Sequence, residues 1–159
     1  FKVYLPADTD AAAVTPVAVM PRSALAGSET ILVAEDQDDV RSVTKAILTR
    51  HGYTVLVANG GDEALRILQN HSAPIHLLLT DVVMPGMNGR ELASHAHAQR
   101  PEIHVLYASG YTDDAIIRHG VLEPGVAFLQ KPFTPSGLLS KIRAVLDSSS
   151  GDAMAHSRE

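Results

Sequence analysis

Five side chains in this sequence could act together on one small anionic group. Asp81 lies in the run LLLTDVVMPGMNG, after an apolar strand-like stretch and before a turn rich in proline and glycine. Glu35 and Asp36 end a second apolar run, ILVAED, Lys131 ends a third, VAFLQK, and Ser109 follows a fourth, VLYA. Two carboxylates about 5 Å apart repel by roughly 3 kcal/mol at an effective dielectric of 20, so three together call for a cation. Magnesium suits such a set, since it accepts one or two carboxylates, keeps waters and bridges to phosphate oxygens; manganese could replace it. In that setting Asp81 is the candidate nucleophile, forming an acyl phosphate. Lys131 supplies an ammonium for one phosphoryl oxygen and Ser109 a hydroxyl for another, while Gly110 leaves room for the incoming group. Singly, Ser109 reads as a loop serine and Lys131 as a surface lysine; their joint placement carries the argument. Asp38 and Asp39 fit better as an acidic first turn complementing a helix dipole.

These residues need elements that bring them together. Short, partly β-branched apolar runs occur at Ile31–Ala34, Val55–Ala58, Leu77–Thr80, Val105–Ala108 and Val126–Leu129, as expected of strands buried on both faces. Helical patterns lie between them. Asp38 can cap a helix with Val40, Val43, Ile47 and Leu48 on one face and Gly52 as its stop. Asn59 or Gly60 starts a second, where Ala64, Leu65 and Leu68 face inward. Asn88 can cap a third, with Glu91 in the capping-box place and Pro101 past its end. Thr112 begins a fourth around Ala115, Ile116 and Ile117. Thr134-Pro135 opens a fifth, carrying Leu138, Leu139, Ile142, Val145 and Leu146. Strands alternating with helices predict a parallel sheet covered on both faces. Ligands of such folds bind outside the carboxyl ends of the strands, where the chemically competent residues fall.

Composition narrows the function classes. The chain has 159 residues, a net charge of −5 and 45% hydrophobic residues, which fits one domain with modest tails. No stripe of Lys and Arg interleaves with aromatics, so a nucleic-acid surface is not expected. Cysteine is absent, which excludes disulfides, thiolate chemistry and cysteine-ligated zinc. No apolar stretch approaches the roughly 20 residues of a membrane span, so direct membrane contact is not expected and a cytoplasmic setting is the default. Residues 7–28 are rich in Ala, Pro, Thr and Ser and suggest a linker, and 148–159 read as a disordered tail. Lys131-Pro132 is a candidate cis peptide bond. The eight histidines read as structural or surface residues; His95 and His97 are two apart on a predicted helix and do not share a face.

The acidic pair Glu35-Asp36, the run TDVVMPGMNG, the hydroxyl in YASGY and the KPF motif at Lys131-Pro132-Phe133 resemble the receiver domain of two-component response regulators over residues 29–147. The resemblance implies an α/β, flavodoxin-like, doubly wound sheet of five parallel strands in the order 2-1-3-4-5. It implies that Asp81 is phosphorylated, that Asp36 and Glu35 hold magnesium, and that Val83 contributes a backbone carbonyl to it. Glu-Asp stands where Asp-Asp is commoner in the family. Ser109 then corresponds to the switch hydroxyl and Phe128 to the switch aromatic, while Val83 and Tyr111 flank the site where the lifetime of the phosphoaspartate would be tuned. The phospho-donor would be a histidine kinase or phosphotransfer domain. The face built from the fourth helix, fifth strand and fifth helix would change on phosphorylation and offers a route to a homodimer.

Residues 1–6, FKVYLP, resemble the closing strand of a histidine kinase ATP-binding domain, so the chain reads as the C-terminal receiver of a hybrid sensor kinase, whose parent could be membrane-anchored. Two rivals remain. A haloacid-dehalogenase-like phosphohydrolase needs a second acid two residues after its aspartate, where this sequence has Val83. An unphosphorylated pseudo-receiver would act purely as an interaction module.

Overall fold

The computed structural model describes residues 22–110 and 126–148. Five parallel strands, β1 (Thr30–Ala34), β2 (Thr54–Ala58), β3 (Leu77–Asp81), β4 (His104–Ser109) and β5 (Phe128–Gln130), form one sheet in the order β2-β1-β3-β4-β5. The described helices are α1 (Asp38–Arg50), α2 (Gly61–Asn70), α3 (Gly89–Gln99) and α4 (Pro135–Asp147). The last is the fifth helix of the sequence reading; the predicted helix from Thr112 lies outside the described residues.

Strand position in the sheet decides how apolar each run must be. β3, at the centre, is buried at all five positions, so LLLTD carries no polar residue before its last two. Alternate residues sort to opposite faces, as the strand period requires. Ile31, Val33, Leu77, Leu79 and Leu106 pack with Leu48 of α1 and Leu138, Leu139 and Ile142 of α4. Leu32, Ala34 and Leu78 pack instead with Ala64 and Leu68 of α2 and Leu92 and Ala96 of α3. Burying a leucine fully contributes about 1.5–3 kcal/mol, so these two layers dominate the stability. The edge strands depart from the expectation of burial on both faces: β2 is exposed at Thr54 and only partly buried through Val57. β5 begins at Phe128, two residues later than expected, and Val126 is exposed.

Side chains cap the starts of α3 and α4 but not those of α1 and α2. Asn88 accepts bonds from Arg90 N and Glu91 N, both at 3.0 Å, and Glu91 Oε2 accepts from Asn88 N at 3.0 Å, completing the capping box. Thr134 Oγ1 accepts from Gly137 N at 3.0 Å, with proline in the first turn. At α1, Gln37 is the N-cap without a side-chain bond, and Asp38 is already helical and pairs with Arg41, while α2 follows Gly60, which has no side chain to cap it. Val43 is also corrected. It is exposed, and the buried stripe runs through Thr44 and Leu48, because Val43 falls at the stripe's rim.

Two arginines tie elements distant in sequence. Arg100, after α3, donates to the carbonyls of Leu68, His71 and Ala73 at the end of α2, serving acceptors that the helix leaves unpaired. Arg100→Ala should lower stability by about 2 kcal/mol, seen as an earlier urea midpoint; an unchanged midpoint would mean that water serves these carbonyls equally well.

The second arginine, Arg143 of α4, donates to Glu29 Oε1 at 2.8 Å. Burial alone would push the Glu29 carboxyl up, but the bond from Arg143 and nearby backbone groups outweigh it, and the net shift is downward from 4.5. A depressed folded-state value contributes stability above the unfolded value and loses it as pH falls through the folded one. The stability gap between the native chain and a Glu29→Gln variant should therefore be widest near neutrality and close as the pH drops below 4.5. A gap independent of pH in urea titrations would contradict this.

The stretch expected to be linker up to Ser28 is partly folded. Arg22–Leu25 form a 3-10 turn, and Leu25 is buried within the α1/α4 layer. Small, polar composition conceals that single anchoring leucine.

Candidate functional site

Glu35, Asp36, Asp81, Ser109 and Lys131 all lie at or just beyond the ends of their strands, on the same sheet edge. β1 ends at Ala34, and Glu35 stays tied to the sheet through its amide, which donates to Ala58 O at 3.1 Å. Glu35 is 4% exposed and Asp81, the last residue of β3, is 9% exposed. Lys131 follows β5, its own amide donating to Ser109 O at 2.8 Å at the end of β4. The Lys131-Pro132 bond is cis, as the sequence suggested.

The side chains converge. Lys131 Nζ donates to Glu35 Oε2 at 2.5 Å and to Asp81 Oδ2 at 2.8 Å. Asp81 Oδ1 accepts from Val83 N at 3.2 Å, so both carboxylate oxygens are oriented. One carboxylate oxygen from each of Glu35, Asp36 and Asp81 lies within 4.8 Å of the others. An all-oxygen set with two of its three members buried suits a hard divalent cation such as magnesium. Burial, with a smaller push from Asp81, raises the Glu35 carboxyl above its ordinary value despite the neighbouring ammonium. For Lys131 burial acts downward, but the hydrogen bonds to Asp81 and Glu35 prevail and raise it, so the ammonium stays charged.

Ser109 is 2% exposed at the end of β4, and a side chain at Gly110 would meet nothing within 4 Å among the described residues. Phe128 is opposite Tyr107 in the β4–β5 register and packs against the cluster of Val82, Ala93 and Tyr107. Val83 is 61% exposed beside the site. Tyr111 lies outside the described residues.

Three supporting residues escaped sequence reasoning. Arg41 Nη1 donates to Glu35 O at 2.8 Å and anchors the acidic loop. Thr80, fully buried, donates its hydroxyl to Asp81 O at 3.0 Å. Gly89 opens α3 against that same carbonyl; a Cβ there would collide with Asp81 O and sit 3.1 Å from Thr80 Oγ1. The glycine closing PGMNG was the one available signal, since a glycine at a helix start near the candidate aspartate suggests close backbone approach. His76 accepts from Thr30 N at 2.9 Å, and His51 and His97 contact the carbonyls of Ile47 and Ile103, in line with structural roles. Among the described residues no helix is long and apolar enough to cross a membrane.

Comparison with known proteins gives the same picture. The response regulator receiver domain family matches residues 31–143. The sensor kinase CckA of Brucella abortus is 34% identical over 154 residues, covering 92% of this chain, while the chain spans only 16% of that protein. The response regulator receiver protein CpdR of the same organism is 34% identical over 116 residues, covering 73% of this chain and 95% of CpdR. Among solved structures, the receiver domain of the hybrid histidine kinase CckA matches at 38% identity and a TM-score of 0.63, covering 74% of this chain and 98% of that one. The chemotaxis protein CheY4 of Vibrio cholerae matches at 28% identity and a TM-score of 0.67, covering 76% of this chain and 100% of that one. Sheet order, site geometry and these likenesses agree, and the chain belongs to the response regulator receiver domain family of two-component signalling.

Proposed function

We propose that this domain accepts a phosphoryl group on Asp81 from a histidine kinase or phosphotransfer domain. The observation that carries the reading is Lys131 Nζ bridging Glu35 and Asp81 within a three-carboxylate cluster. Glu35, Asp36 and Asp81, with the carbonyl of Val83, would hold magnesium, which when bound neutralises charge on the phosphoryl oxygens. An Asp81 oxygen attacks phosphorus, the bond from phosphorus to the donor's imidazole nitrogen breaks, and the imidazole leaves with that electron pair. Lys131 steadies one phosphoryl oxygen and Ser109 donates to another, so the chain's own part is positioning and charge complementarity.

A charge-assisted bond from Ser109 contributes about 1.5–3 kcal/mol, enough to shift a two-state equilibrium by one to two decades. Phe128 then follows Ser109 as the switch aromatic, and Val83 and Tyr111 tune how long the acyl phosphate lasts. The altered face, formed by the predicted fourth helix, β5 and α4, supports a homodimer or a downstream partner.

A receiver within a hybrid sensor kinase is the favoured setting, with the receiver on the cytoplasmic side. The match to the CckA sensor kinase covers 92% of the chain against 73% for the free-standing CpdR, which supports relatedness beyond the receiver itself.

The direct test is incubation of the chain with acetyl phosphate. The expected result is a mass gain of one phosphoryl group, located to Asp81, that requires magnesium and disappears with chelator. Modification elsewhere would refute the assignment. Absence of modification, together with no beryllofluoride binding, would favour a pseudo-receiver, and steady turnover of external phosphate esters would favour a hydrolase.

A further inference from the structure

The residues just ahead of β1 make contacts that a loose tether would not. Leu25 is 7% exposed in the α1/α4 layer, and its carbonyl accepts from Tyr53 Oη at 3.3 Å. Gly27 N donates to His51 O at 3.1 Å, and Thr54 N donates to Glu29 O at 3.1 Å. Gly27 and Gly52 face each other at the closest point. Gly52 has φ +93, and a Cβ there would lie 2.6 Å from Gly27 O. A Cβ on Gly27 would collide with the Glu29 carboxylate and the Tyr53 ring and lie 2.8 Å from Arg143 Nη1. The segment is therefore fitted to its seat on both sides.

Arg143 holds this seat. Its Nη1 donates to Glu29 Oε1 at 2.8 Å and to Tyr53 Oη at 3.4 Å, while Nη2 donates to Asp147 Oδ1 at 2.5 Å at the end of α4. One guanidinium thus grips the incoming chain and the outgoing helix together. The family match begins at residue 31, so none of these contacts with residues 22–29 belongs to the part the family describes.

We propose that residues 22–29 are a docked strap, clamped by Arg143 to α4, so that the chain joins and leaves the receiver through one stiff joint. The entry of the chain into the receiver, residues 22–29, is then held in fixed register with α4. That helix starts at Pro135, just after Lys131, and runs about 12 Å to the clamp at Arg143. The joint is thus connected through one rigid element to the carboxylate cluster. The proposal does not rest on the phosphoryl-transfer reading, and its test needs no phosphorylation.

Hydrogen exchange on the full chain decides it. In the native protein the amides of residues 25–29 should exchange at least about a hundredfold slower than an unstructured chain. Arg143→Ala should speed them by about tenfold while leaving β3 and β4 amides unchanged, because only the clamp is lost. If that variant loosens the whole domain, Tyr53→Phe, which removes a single hydroxyl, should still speed the strap severalfold and selectively. Unprotected strap amides in the native chain would overturn the proposal. So would strap rates that move only in step with β3 and β4, or not at all, in both variants.

Discussion

Asp81→Asn will take up no phosphoryl group from acetyl phosphate while remaining folded. The amide keeps the shape of the carboxylate but lacks the charge and nucleophilicity that form the acyl bond, so uptake should fall by at least about a thousandfold. The fold should tolerate the change, because two electrostatic effects oppose each other. Lys131 loses its ionic bond to position 81 at 2.8 Å, yet the repulsion between Asp81 and the buried Glu35 also disappears, and Lys131 retains Glu35 at 2.5 Å. Stability in urea should stay within about 1 kcal/mol of the native chain. Retained uptake at the native rate would show that another residue is the acceptor. A collapse of stability would show that Asp81 serves the fold more than the chemistry.

Lys131→Ala should damage both stability and reactivity, and in a manner that separates the two. The ammonium is the counter-charge of Glu35 and Asp81, whose side chains are 5% and 11% exposed. Removing one member of a buried ion pair leaves the other uncompensated, at a cost of about 3 kcal/mol. The unfolding midpoint in chelator should therefore drop clearly. Magnesium should recover part of that loss, since a divalent cation bound by the same carboxylates stabilises the folded state by mass action. Phosphoryl uptake should fall by about a hundredfold even where magnesium restores the fold, because an oriented cation on the phosphoryl group is missing. Unfolding in chelator that is indistinguishable from the native chain would contradict the role assigned to this lysine.

The sequence disclosed much of this architecture for reasons that can be named. The central strands are apolar at successive positions, so TILVA and LLLTD stand out without any partner being known. Strand ends are equally legible, and Glu35, Asp36, Asp81 and Lys131 were recognisable because each stops an apolar run. What stayed hidden depends on which loops meet in space. Arg100 is 32 residues from Leu68, and Arg143 is 114 from Glu29, so no local pattern announces either bond. Arg41 and Thr80 act on backbone carbonyls, which carry no residue identity to recognise. Val43 shows the limit of helical periodicity, since a residue at the rim of a stripe obeys the spacing while facing solvent. Leu25 shows the limit of composition, where one apolar residue among small ones is enough to seat a segment.

The amide of Lys131 bonds to the carbonyl of Ser109 at 2.8 Å, within a ladder that also pairs Tyr107 with Phe128 and Ala108 with Leu129. The ammonium and hydroxyl arms are therefore mounted on a common backbone gauge whose width is set by sheet spacing. Their main chains cannot drift apart without tearing that ladder. Any adjustment of grip must come from rotation about side-chain bonds, or from β4 and β5 travelling as a single plank. A small charge arriving at Asp81 would in the second case be converted into displacement of the sheet's whole outer margin.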